Sequence, residues 1–189
     1  MTAFSMYGAL MFASKVLMQF LPNIHLLGMF IMVFTVVYRQ KALIPIYLYV
    51  LLDGIFGGFS MWWLPYLYIW TVLWAVTMLL PKYMSKRTAM VVYPIVCAAH
   101  GFMFGTLYAP AQALMFGLNF HQTLAWIATG LPYDAIHGVA NLMAGLLIAP
   151  LSTLLGRLNA GLEPRIVNGA KARSGRQNDE AASDRSGAE

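Results

Sequence analysis

Long apolar runs alternate with short polar breaks along this chain. The runs fall at about 3–20, 24–38, 41–57, 64–80, 88–109 and 133–157. The breaks are Leu21-Pro22-Asn23, Arg39-Gln40-Lys41, the stretch from Gly58 to Trp63, Pro81 to Arg87, and a longer connection over 110–132. Runs of this kind read as membrane helices, several near the short end of the about 17–25 residues that cross a bilayer. Tightly packed, irregular helices are therefore expected. Pro45 and Pro94 fall in the first turns of their runs, where proline is tolerated. The connection over 110–130 is apolar but broken by Pro110, Asn119, His121 and Gln122, which leaves room for an interfacial helix. The expected fold is an all-α integral membrane protein of six transmembrane helices in residues 1–160. Residues 161–189 are polar, mixed in charge and free of aromatic side chains, the composition of a disordered tail.

Composition agrees with that pattern. Of the 189 residues, 60% are hydrophobic and only 10% charged, against about 25% charged in a water-soluble domain. The first apolar run lacks a small-x-small cleavage site followed by a soluble region, which argues against a cleaved signal peptide. One cysteine, Cys97, excludes an intrachain disulfide.

Charge adds orientation. Residues 1–162 hold seven Lys/Arg and two acids, whereas 163–189 hold five of each sign. The excess positive charge sits in short loops between apolar runs, so it informs topology and gives no sign of a nucleic-acid partner. Arg39, Lys41, Lys82, Lys86, Arg87, Arg157 and Arg165 share one side, while the loops near 21–23, 58–63 and 110–132 carry no Lys or Arg. The positive-inside rule then places both termini in the cytoplasm and GLPYD outside.

Ionisable residues inside spans are costly and mark function by default. Lys15 and Asp53 lie about four or five residues from the outer ends of the first and third runs, which puts them at similar depth. His25 opens the second run, and His100 sits in the outer half of the fifth. Asp134, His137 and Asn141 lie on one stripe of the last run, within about 60° of one another. With Asn23 and the aromatic residues Trp62, Trp63 and Tyr66, these side chains are candidates for one externally open site for a flat, polar small molecule. Each also has a structural reading. Lys15 and Asp53 make a neutralising ion pair, Trp62 and Trp63 fit an interfacial belt, and His100, His137 and Asn141 fit hydrogen bonding between helices. No HExxH, Cys/His cluster, GxSxG or GxxxxGK[ST] appears, so metal, hydrolase and ATPase chemistry find no support in motifs, and no cofactor is expected.

Small residues four apart, Ala9 and Ala13, make a flat stripe on the first helix. Together with the six spans, the third-run sequence ALIPIYLYVLLDGIFGGF, and a last span opening with LPYDAIHGVAN and closing with APLSTLLGRL, this stripe resembles the substrate-binding S components of energy-coupling factor (ECF) vitamin transporters. The resemblance covers about residues 3–158. It implies a multi-pass subunit of the bacterial plasma membrane that captures a vitamin-like or ring-containing micronutrient from outside. Such a subunit delivers its cargo through a membrane coupling protein and two cytoplasmic ATPases, with Ala9 and Ala13 against the coupling protein. The His-rich N-terminus of nickel and cobalt relatives is missing. Two alternatives remain: a small membrane enzyme acting on a lipid or prenyl substrate with Asp134 and His137 as an acid–base pair, and an assembly factor with an aromatic binding surface.

Overall fold

A computed structural model describes residues 2–160. They form eight α-helices: α1 (Thr2–Leu17), α2 (Leu27–Tyr38), α3 (Leu43–Gly57), α4 (Tyr66–Leu79), α5 (Lys86–Phe102), α6 (Phe104–Phe116), α7 (Phe120–Gly145) and α8 (Ile148–Ala160). A 3₁₀ turn, Arg39–Ala42, joins α2 to α3, and no strand occurs among the described residues. Residues through Ser152 form one compact unit, and 153–160 finish α8. The expected tail, 161–189, lies outside the described residues.

Helix α2 is the axis of the unit. Eight of its twelve residues are buried, and none is a large exposed apolar side chain. Its one hydroxyl inside that stretch, Thr35, bonds back to the Ile31 carbonyl at 2.6 Å, so the helix presents no unmet side-chain polar group to its neighbours. The other helices carry large apolar residues outward, among them Leu17, Phe56, Leu79 and Leu114, each more than 70% exposed. Apolar area on that scale is unusual for a surface meant for water.

By length and apolarity, two continuous helical runs could cross a membrane, Leu27–Gly57 and Lys86–Phe116, and a third if the bent pair α7–α8 is one span; α4 is apolar but has only 14 residues. The first of these runs is folded back on itself. A straight helix would hold His25 and Tyr49 about 36 Å apart, yet their rings both contact Trp70, with centroids at 6.0 and 6.3 Å. The reversal falls at Arg39, whose φ of 53° ends α2. Its guanidinium donates to the Met78 carbonyl at 2.7 Å, and the Trp74 indole donates to the Arg39 carbonyl at 3.2 Å. The basic break read from the sequence is thus a tight turn latched onto the end of α4.

The second half departs from the expected boundaries. The connection over 110–132 is nearly all helix: α6 runs to Phe116, and α7 begins at Phe120 rather than near 133. Gly117, at φ 65°, adopts the left-handed conformation that ends a helix. Asn119 and Gln122 then start α7 with a reciprocal capping box, at 2.9 and 3.0 Å. Pro110 and Pro132 stand inside helices, and Pro94 lies in the middle of α5 rather than its first turn. Apolar helices packed against neighbours tolerate such prolines. GLPYD is therefore mid-helix rather than at a helix entrance.

Helices α5 and α6 run nearly in line and pack antiparallel to α7. Glycines set their separation. A Cβ on Gly101 would lie 2.9 Å from the backbone of Gly138, and one on Gly145 would lie 2.6 Å from Pro94 Cα. Close backbone approach of this kind is the means by which apolar helices gain contact without a hydrophobic driving force between them.

Candidate functional site

Seven of the residues singled out in the sequence meet in one shell, drawn from separate parts of the chain. The last turn of α1 supplies Lys15, and α3 supplies Asp53, 2.5 Å apart as an ion pair. The Lys15 ammonium also lies 5.5 Å from the ring centres of Trp62 and Tyr66, within range of cation–π attraction. Tyr66 and Trp70, one turn apart on α4, continue the aromatic wall at 5.6 Å. Around Trp70 stand His25, His100 and Phe104, with ring centres at 6.0, 5.8 and 5.6 Å. His137 closes the shell against His25 at 4.6 Å and Phe104 at 4.9 Å. Sequence separation between Lys15 and His137 is long, and the helix ends of α1, α2, α3 and α4 bring them to one level.

Asn141 sits one turn beyond His137. It is fully buried and donates its amide to the Cys97 carbonyl at 3.2 Å. His100 Nε2 lies 3.1 Å from the Ile69 carbonyl. A carbonyl only accepts, so Nε2 carries the proton and Nδ1 is left as an acceptor.

The shell holds an unusual density of polar atoms without protein partners. His25 Nδ1, Tyr49 Oη, Asp53 Oδ2, Trp70 Nε1, His100 Nδ1, His137 Nε2 and Asn141 Oδ1 are all buried and unpaired. Buried polar groups are ordinarily hydrogen-bonded, at a cost of about 1–3 kcal/mol each when they are not. Concentration of such groups in one aromatic shell is what a binding site for a polar ring requires. Two apolar hollows flank the shell. A groove of about 730 Å³ between residues 24–26 and α7 is lined by His25, and a pocket of about 180 Å³ between α4 and α5–α6 is lined by His100.

Other expected members stand elsewhere. Asp134 does not open its helix; it is the fifteenth residue of α7, and both its oxygens accept from the Gly105 N–H, at 3.0 and 3.1 Å. The chain at Met103 breaks α5 from α6, and the buried carboxylate supplies the acceptor that the first turn of α6 needs. A Cβ on Gly105 would collide with that carboxylate. Trp63 turns away and donates to the Val50 carbonyl at 2.8 Å, pinning the 58–65 segment to α3. Asn23 is an exposed turn residue at φ 58°, a conformation asparagine tolerates better than most. Ala9 and Ala13 are exposed on α1. Among the described residues no three His, Cys, Asp or Glu side chains are grouped as metal ligands.

Asp134→Ala should therefore lower stability by about 1–2 kcal/mol, as loss of a helix cap does, while Asp134→Asn keeps an acceptor and most of the stability. Thermal unfolding in detergent reads both. Loss of ligand affinity with unchanged stability would return the carboxylate to the site.

Phe104, at the centre of the shell, is absent from the sequence-derived site. Its only signal is spacing: Phe104 follows His100 by one helical turn.

The fold and shell define an all-helical protein with helices of membrane length and a buried polar–aromatic cluster at one level of the bundle. No family model, curated protein or solved structure matches the chain.

Proposed function

We propose that this chain is a six-span membrane subunit, both ends cytoplasmic, that binds a ring-containing micronutrient and delivers it as the S component of an ECF-type importer. The observation that carries the reading is the aromatic shell of buried, unpaired polar atoms around Trp70. Two features support it. The basic turns Arg39–Ala42 and 82–87 suit the cytoplasmic side, opposite the shell. Ala9 and Ala13 leave an open small-residue face on α1, suited to a coupling protein. Against the enzyme alternative stands the engagement of both Asp134 oxygens by the Gly105 N–H.

Coexpression with a coupling protein and its two ATPases tests this reading. The wild-type chain should copurify with them. Ala13→Trp should cut recovery of the partners about tenfold or more by blocking close helix approach, while small molecules retained by the chain, identified by mass spectrometry, stay the same. Assembly unaffected by Ala13→Trp would refute the interface.

A further inference from the structure

The unpaired atoms of the shell have fixed polarities, and these select among ring compounds. His100 Nδ1 is an acceptor because Nε2 faces the Ile69 carbonyl. Asn141 Oδ1 is an acceptor because Nδ2 faces the Cys97 carbonyl. Asp53 Oδ2 is an acceptor, its sister oxygen being held by Lys15. Trp70 Nε1 can only donate. All four side chains are more than nine-tenths buried. Of these four atoms of fixed polarity three accept and one donates, on aromatic walls; Tyr49 Oη, His25 Nδ1 and His137 Nε2 can take either role. The Lys15–Asp53 pair is neutral overall, so the shell holds no uncompensated cation for an anionic ligand.

We infer that the shell is built for an uncharged, amino-substituted nitrogen heteroaromatic. Such a ring stacks on Trp70 and Phe104. Its amino hydrogens go to the acceptors, and a ring nitrogen takes the Trp70 N–H. The oxo counterpart of the same ring presents a carbonyl where the shell presents acceptors, which leaves acceptors facing one another. A site built to hydrogen-bond one group discriminates strongly against the analogue that lacks it. This inference rests on the reading of the shell as a ligand site.

The test is calorimetry on the purified full chain in detergent at neutral pH, with two matched pairs of rings: 4-aminopyrimidine against 4-pyrimidinone, and adenine against hypoxanthine. Each amino ring should bind about tenfold or more tighter than its oxo partner. Asn141→Leu, which removes one acceptor, should shrink that ratio; His100→Phe serves as a second variant should the first fail to fold. Equal affinities, preference for the oxo rings, an unchanged ratio in the folded variant, or no binding of any of the four overturns the inference. Should the inference fail while the chain still copurifies with a coupling protein and ATPases, the transport reading stands. Failure of copurification together with no retained small molecule removes the transport reading itself.

Discussion

Gly101→Ala should destabilise the protein by about 2–3 kcal/mol, the upper part of the range for overpacked cores, and lower its melting temperature by roughly 4–12 °C. The added methyl would lie 2.9 Å from the Cα and N of Gly138. Those are backbone atoms, so no side chain can rotate away, and α5 and α7 must separate. Separation spreads along the hairpin, because Asn141 to Cys97 and Asp134 to Gly105 bridge the same two faces on either side. Gly130→Ala is the internal comparison. It makes the same chemical change on α7, where nothing lies within 4 Å of the new methyl. There the change should stabilise by up to about 1 kcal/mol through helix propensity alone. Thermal unfolding of the two variants in the same detergent should give shifts of opposite sign. Equal shifts would mean that α5 and α7 do not approach through Gly101.

The Lys15–Asp53 pair should respond asymmetrically to loss of either partner. Asp53 is 5% exposed at its side chain and Lys15 30%. Lys15→Met strands a buried carboxylate, a loss of about 3–5 kcal/mol. Asp53→Asn frees a lysine on the last turn of α1, from which its long side chain can swing toward water. That variant should lose only about 1 kcal/mol, the worth of a typical hydrogen bond. The double change Lys15→Met with Asp53→Leu should recover most of the first loss, since apolar replacement of an ion pair is often neutral. Denaturation of all three variants measures the coupling. Equal losses from the two single changes would contradict the burial difference.

Helix content was legible from the apolar runs, and so was the level at which Lys15, Asp53, His25, His100 and His137 meet. Charged and imidazole side chains are rare in such runs, so their distances from the helix ends locate them with few competing solutions. Boundaries were less legible where proline served as punctuation. Pro94, Pro110 and Pro132 all lie within helices, because neighbouring helices offset the missing backbone bond. The same error made Asp134 look like a helix entrance. Sequence shows a polar residue but not which orphan N–H it meets, and the break at Met103 that creates the need lies between Gly101 and Gly105 with no proline to announce it. Phe104 was hidden for a different reason: an aromatic side chain has the same appearance in a packed core and in the wall of a site.

The burial of α2 bears on how the protein is made. During synthesis this segment leaves the ribosome before α3 to α8 exist, so whatever surrounds it first is not its final surroundings. Its sequence, LGMFIMVFTVVY, is indifferent to the exchange. Lipid tails and apolar side chains solvate it about equally, and its one buried hydroxyl is satisfied within its own helix. The axis of the fold can thus form early in apolar surroundings and be enclosed later, with no side-chain polar group left waiting for a partner not yet translated.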